Sequence, residues 1–241
     1  MPGIGNKDLA SRSEAVDLAF TSLWSSSLNL ECGTLFLNQN LPNDPFFNKL
    51  VSLTCLDDAM LENSLKLFKK HDTVPYIYTL DQPEFDKKLL EKHFKLYDTQ
   101  HVLTRIPIST VKSRARKISK GESMIWSKTF CSAYDCNEWI ATVDKIVQNS
   151  CNSIDYYIDE LASSCVALYE SNSMLGLYCL GTVPEMRKKG LAASLIDLAL
   201  GEVKKRNLGF LMLETYRKDR LLDFYFKLGF EDIYHKNVYT T

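Results

Sequence analysis

Long apolar runs are missing from this 241-residue chain: none approaches the roughly 18 to 20 residues that cross a bilayer, so no membrane partner is expected. Residues 1–14 carry no apolar segment of the signal-peptide kind, and the chain reads as cytoplasmic. Paired cysteines are missing too. The seven present (Cys32, Cys55, Cys131, Cys136, Cys151, Cys165 and Cys179) are odd in number, scattered, and free of any C-x-x-C spacing, which predicts reduced thiols rather than a disulfide framework or a zinc site. His71, His93, His101 and His235 stand at no ligand spacing, and Cys131 with Cys136 makes no metal set, so no metal is expected. An excess of either charge is also absent. With 29 basic and 30 acidic residues the net charge is −1, which argues against nucleic acid as a partner. What remains is an ordinary globular composition, 45% apolar and 24% charged, long enough for one large domain or for two of about 100 to 120 residues.

In residues 13–24, Ala15, Leu18, Ala19 and Leu23 recur at a helical period, with Ser13 or Ser11 as the cap. Residues 33–37 read as a short strand, 38–45 as a loop and 49–54 as another strand-length run. Residues 56–70, with Met60 or Leu61, Leu65 and Phe68 on one face, predict an amphipathic helix. A strand (74–80), a helix (86–97) and a strand (101–106) follow. Residues 107–121 hold Lys112, Arg114, Arg116, Lys117 and Lys120; they read as a solvated linker, or else as a rim attracting an anionic ligand. The expected division is an N-terminal domain over 1–106, this linker over 107–121 and a second domain over 122–241.

In the second part, residues 124–133 (with Trp126 and Phe130) and 138–149 (with Trp139, Ile140 and Val143) predict helices, and 154–158 and 164–170 strands. A turn at 170–173 leads into an apolar strand, 175–180. Then comes Thr182-Val183-Pro184-Glu185-Met186-Arg187-Lys188-Lys189-Gly190-Leu191-Ala192-Ala193, opening an amphipathic run that continues to about Arg206. The order is strand, tight basic turn, helix. A helix starting in such a turn leaves its first N–H groups without intrahelical acceptors, with the positive end of the helix dipole behind them, which favours an anion. Gly190 admits unusual φ, Ala192 and Ala193 keep the first turn slim, and Arg187, Lys188 and Lys189 add positive charge. A strand at 210–215, a helix ending in Tyr225-Phe226-Lys227-Leu228-Gly229-Phe230 and a last strand near 233–239 complete the chain.

Arg187-x-x-Gly190-x-Ala192, placed between a strand and a helix, resembles the pyrophosphate loop of the GNAT superfamily of acyl-CoA N-acyltransferases, and Tyr225-x-Lys227-Leu228-Gly229-Phe230 resembles that family's Tyr-x-Lys-Leu-Gly-Phe signature. The resemblance implies an α/β fold with a mixed sheet, a GNAT acyltransferase domain in the C-terminal half and acetyl-CoA as cosubstrate. Both halves run helix and strand alternately, and His93-Phe94-Lys95-Leu96 echoes Tyr225-Phe226-Lys227-Leu228. The N-terminal half therefore reads either as a smaller, degenerate GNAT-like repeat that lost its phosphate loop or as a chance likeness between α/β units.

By the same resemblance the central strand splays from its neighbour, commonly at a bulge, and the backbone of Leu180, Gly181, Thr182 and Val183 holds the pantetheine arm. The turn from Arg187 through Leu191 to Ala193 holds the pyrophosphate. Tyr225 stands where the family has a tyrosine close to the CoA sulfur, and a phenol can protonate a departing thiolate. Lys218 replaces an asparagine often found seven residues before that tyrosine, and is counted with the cofactor-binding residues as a group able to reach a phosphate. The general base is open among Glu214, Glu170 and Asp155, with Glu214 the first choice. Cys179 lies on the central strand but has no histidine partner, so it reads as a small buried residue rather than an acyl carrier. The expected activity is transfer of an acetyl group to an amine acceptor in a ternary complex, by a monomer or homodimer. The alternatives are another acyl donor, or a non-catalytic acyl-CoA-binding or protein-interaction module with a vestigial site.

Overall fold

A computed structural model describes residues 6–107 and 114–241. In chain order the elements are helix α1 (Asn6–Trp24), strands β1 (Ser26–Leu30), β2 (Gly33–Leu37) and β3 (Lys49–Val51), helix α2 (Asp58–Lys70), β4 (Ile77–Thr79), α3 (Pro83–Glu91), β5 (Lys95–Arg105), β6 (Arg116–Lys117), α4 (Ser123–Tyr134), α5 (Ile140–Ser150), β7 (Asp155–Ile158), β8 (Ser164–Ser171), β9 (Met174–Thr182), α6 (Leu191–Lys205), β10 (Phe210–Tyr216), α7 (Leu222–Lys227) and β11 (Glu231–Thr240). Among the described residues no helix is long and apolar enough to cross a membrane.

The chain forms two compact units. One takes the residues up to Ala19, Leu103–Glu214 and Phe224–Ile233; the other takes Phe20–Val102, Thr215–Asp223 and Tyr234–Thr241. The expected cut at residue 106 lies near one crossing, but the chain crosses several times. Its last strand shows why: Asn237, Val238 and Tyr239 pair antiparallel with Thr79, Tyr78 and Ile77 of β4, so the C-terminus completes the unit built mostly from the N-terminal half.

The basic segment does not remain a free linker where it is described. Lys112 lies outside the described residues, whereas Arg116 and Lys117 form β6 against β7. Arg116 meets Glu122 at 2.7 Å, which with the Ser119 N–H and hydroxyl lowers that carboxyl to about 2, and Lys117 pairs with Asp155. The acids that neutralise this basic run come from outside its own window of sequence.

In the N-terminal unit β1 pairs with β2 and β2 with β3, both antiparallel, while β3 runs parallel to β4. Leu35, Leu50, Phe68, Ile77 and Leu89 meet in its core. β1 has no sequence signal, since Ser26 to Asn29 are all exposed. α1 already includes Asn6, seven residues before Ser13 and five before Ser11, so both expected caps lie within it, the Ser13 hydroxyl donating to the Leu9 carbonyl at 2.9 Å. The expectation of uniformly reduced thiols is corrected here. Cys32 and Cys55 are joined in a disulfide with their Cα atoms 5.1 Å apart, because antiparallel pairing of β2 with β3 folds the segment between them back on itself.

The loop between β2 and β3 is rigidly tied. Asn48 Oδ1 accepts from Asn38 N–H at 2.7 Å, and the Tyr76 and Tyr78 hydroxyls donate to the carbonyls of Asn43 and Pro45 at 3.1 and 2.9 Å. Burial pushes the Asp44 carboxyl up to about 6 against the opposing pull of the Phe46 and Phe47 N–H groups and of Lys49. An acid whose folded value lies above its ordinary one costs little well below its ordinary value, where it is protonated folded or unfolded, and costs most above pH 6. Asp44→Asn keeps the acceptor oxygen and removes the charge, so it should stabilise the protein by about 1 kcal/mol, a few degrees in Tm, at pH 7.5 and by only a small fraction of that at pH 4. Melting curves at the two pH values check this; equal effects at both would refute it.

The two halves repeat one motif. The segment β3–α2–β4–α3 matches β9–α6–β10–α7, and both copies end in the same cap. Phe94 N–H bonds the Leu89 carbonyl at 3.0 Å with His93 at φ +66°, as Phe230 N–H bonds the Tyr225 carbonyl at 3.1 Å with Gly229 at φ +80°. The correspondence therefore sets Leu89 opposite Tyr225, one helical turn away from the expected pairing of His93 with Tyr225. Leu89 is fully buried and apolar. At the head of α2 the Asp57 carboxylate caps the Met60 N–H at 2.8 Å, placing the chain's own anion where α6 carries none.

Candidate active site

The C-terminal unit positions the phosphate-type turn on a sheet in which β10 runs parallel to β9, and β9, β8 and β7 are successively antiparallel. Leu195, Ile196, Ala199, Leu200 and Val203 of α6 are buried, and the helix packs on β8 and β9. This apolar stripe fixes where α6 begins. Its N-cap is Gly190 at φ +81°, in the left-handed region that favours glycine, with no side-chain cap, and a Cβ there would meet nothing within 4 Å. The first intrahelical bond is Ser194 N–H to the Gly190 carbonyl at 3.0 Å, so the N–H groups of Leu191, Ala192 and Ala193 precede the ladder. This arrangement suits an anion.

The three basic side chains of the turn differ in what they do. Arg187 is exposed but folded back onto the protein, its Nε donating to the Thr182 carbonyl at 3.1 Å and its Nη2 to the Ala133 carbonyl at 2.8 Å. Its guanidinium thus anchors the turn to the end of α4. Lys188 is exposed with φ +62°, and the Lys189 ammonium lies 3.3 Å from the Met186 sulfur.

The central strand splays as the resemblance implied. Pairing of β9 with β10 runs from Met174 and Phe210 to Leu177 and Leu213 and stops, while β9 continues to Thr182. On its other edge the register against β8 jumps, Ala167 facing Tyr178 and Cys165 facing Gly181, which leaves Cys179 and Leu180 as a bulge with Cys179 at φ +54°. Cys179 is half-buried there rather than fully enclosed. Several of the backbone groups expected to hold pantetheine already have partners. The Leu180 carbonyl accepts from the Tyr134 hydroxyl at 3.0 Å, the Gly181 carbonyl from Ser164 at 2.7 Å, and Val183 N–H donates to Ser163 at 2.9 Å. Gly181 is required by close packing, since a Cβ would come within 2.7 Å of Ala133 Cβ and 3.0 Å of the Tyr134 ring.

Tyr225 is buried on α7, its ring centroid 5.2 Å from Phe224 and 5.8 Å from Phe230. Glu214 follows Leu213 directly and is half-buried where β10 leaves β9. The other two carboxylates are committed elsewhere. Glu170 faces Leu175, about 16 Å of strand from Leu180, and pairs with Arg206 at 3.3 Å. Asp155 pairs with the same guanidinium at 2.5 Å; burial would raise its carboxyl, but hydrogen bonds from Lys117 and Arg206 outweigh this and hold it low. Lys218 belongs to the other unit. Its ammonium lies 3.6 Å from the Tyr97 ring centroid, and its N–H donates to Asp98 at 3.3 Å. Thus the C-terminal unit contains Leu180 to Ala193, Glu214 and Tyr225, and Lys218 is not among them.

No family model matches the sequence, and no curated protein matches it. Solved structures do match in fold. A GCN5-related N-acetyltransferase from Kribbella flavida aligns over 100% of this chain and 96% of its own, with TM-score 0.62 and 14% identity. One from Sphaerobacter thermophilus aligns over 97% and 90%, with TM-score 0.63 and 12% identity. A tandem GNAT protein from the clavulanic acid biosynthesis pathway aligns over 87% and 78%, with TM-score 0.61 and 10% identity. The chain has the GNAT acetyltransferase fold, with a mixed sheet.

Proposed function

We propose that the protein is an N-acyltransferase that carries an acetyl group from acetyl-CoA to an amine by direct attack in a ternary complex. The observation that carries this reading is the head of α6: three unladdered N–H groups, no side-chain cap and open space at Gly190, beside a strand splayed from its neighbour. The amides of Leu191, Ala192 and Ala193, with Lys188 and Lys189 beside them, would hold the pyrophosphate. The splayed stretch from Leu180 to Val183 would take the amide-rich arm as a further strand, through groups not already bonded within the protein. Glu214, at the mouth of the splay, would accept a proton from the acceptor amine, and Tyr225 would donate one to the thiolate that leaves. The N-terminal half takes no part in CoA binding in this reading, because Asp57 occupies the helix head that corresponds to α6 and no basic turn precedes it.

Calorimetric titration of acetyl-CoA and of CoA into the full chain tests the proposal, with Gly190→Trp beside the wild type. Saturable binding that weakens about tenfold or more in the variant is the expected outcome. A folded protein free of copurified CoA that binds neither ligand, or a variant that binds as well as the wild type, would overturn it.

A further inference from the structure

Tyr134 is exposed over half of its surface yet tightly held, and the proposed mechanism does not use it. It closes a file of aromatic rings along α4. Trp126 is fully buried and stacks on Phe130 at 5.4 Å and 8°, and Phe130 lies 4.7 Å from the Tyr134 ring. Four consecutive aspects of the backbone fix its position: the Tyr134 hydroxyl donates to the Leu180 carbonyl in the bulge, Gly181 gives up its side chain to admit the ring, Arg187 clamps the Ala133 carbonyl, and Asp135 ends the helix at φ +55°.

Resting on the proposed acyl transfer, we infer that Tyr134 is an acceptor-specificity residue whose ring forms the platform on which the body of the amine substrate lies. The bulge is where the thioester of that reading would stand, so an attacking amine must come alongside Leu180, and the exposed surface it meets there is this ring. A rigid aromatic face offers apolar contact and no charge to pair. Charge of both signs lies near the ring, since Asp135 follows Tyr134 directly and the Arg187 guanidinium bonds the carbonyl of the preceding residue, so the ring itself and not a net charge selects the substrate. The class of acceptor that fits is an amine on a flat apolar skeleton. Spermidine, which has no flat apolar face to lay on the ring, does not fit.

Binding of phenethylamine and of spermidine to the full chain, followed by ligand-observed NMR with and without CoA, tests this. Phenethylamine should bind about tenfold or more tightly than spermidine, Tyr134→Ala should lose about tenfold of the phenethylamine affinity, and Tyr134→Phe, which keeps the ring, should stay within about twofold of wild type. Tyr134→Leu guards against a disturbed helix end: it fills the same space without a ring and should follow Tyr134→Ala. Equal binding of the two amines, equal phenethylamine affinity in wild type and Tyr134→Ala, or no amine binding at all overturns the inference. Failure of CoA to bind would instead remove the acyl-transfer reading, while the arm without CoA still decides whether Tyr134 receives the amine.

Discussion

Replacing Tyr225 by phenylalanine should lower kcat about a hundredfold, within the range that general acid–base groups contribute, and leave acetyl-CoA affinity within about twofold of wild type. The expectation rests on two facts. Tyr225 is 6% exposed, with its ring packed against Phe224 and Phe230, so phenylalanine retains the packing and deletes only the hydroxyl. The corresponding residue of the N-terminal half is the buried leucine Leu89, so the cap itself does not need a phenol. A structural role would predict a lower Tm with unchanged turnover; a catalytic one predicts unchanged Tm with a fall in kcat. The pair of measurements separates them, and turnover within threefold of wild type would remove Tyr225 from the mechanism. The companion substitution Glu214→Gln should lower turnover most near neutral pH, where a protonated amine needs a base, and recover in part at high pH as the free amine accumulates.

How much of this was legible beforehand depends on how local each signal is. The head of α6 was readable because Gly190, Ala192 and Ala193 act within one turn of backbone, and the structure places Gly190 at φ +81° as the cap. The strand before it was readable from its apolar run. The bulge was foreseen only through family resemblance, because Cys179 has no residue-level signature of a left-handed backbone. β1 leaves little signal because four of its five residues are exposed and only Leu28 and Leu30 are apolar. The exchange of Tyr234 to Thr240 into the N-terminal unit, and the pairing of Arg116 and Lys117 with acids further along the chain, depend on tertiary contact and leave no mark in any window of sequence. The internal repeat was visible as an order of elements, but its register came from backbone hydrogen bonds: Leu89 and Tyr225 are chemically unlike and share only the carbonyl that receives the bond from the phenylalanine five residues on.

The pairing of Cys32 with Cys55 is a case where spacing misled, and it yields the second large expectation. The two cysteines are 23 residues apart, and loop closure of that length restricts the unfolded chain by about 3 kcal/mol. The closed loop contains β2, β3 and the tied segment around Asn38, Asp44 and Asn48, so the bond staples the edge of the N-terminal unit. Reduction, or the double variant Cys32→Ser with Cys55→Ser, should therefore lower the stability by about that amount, or roughly 10 °C or more in Tm for a unit of this size. Denaturant melts of four samples decide it: wild type and double variant, each with and without dithiothreitol. Wild type under reductant should fall onto the variant, and the variant should be indifferent to reductant. Cys131, buried and hydrogen-bonded to Cys136, has a thiol pushed well above its ordinary value, and among the described residues Cys131, Cys136, Cys151, Cys165 and Cys179 form no disulfide, so the response to reductant belongs to the Cys32–Cys55 bond. A wild-type protein whose melt does not move under reductant would show that the bond does not form. Movement in both proteins would show that a second thiol pair is involved.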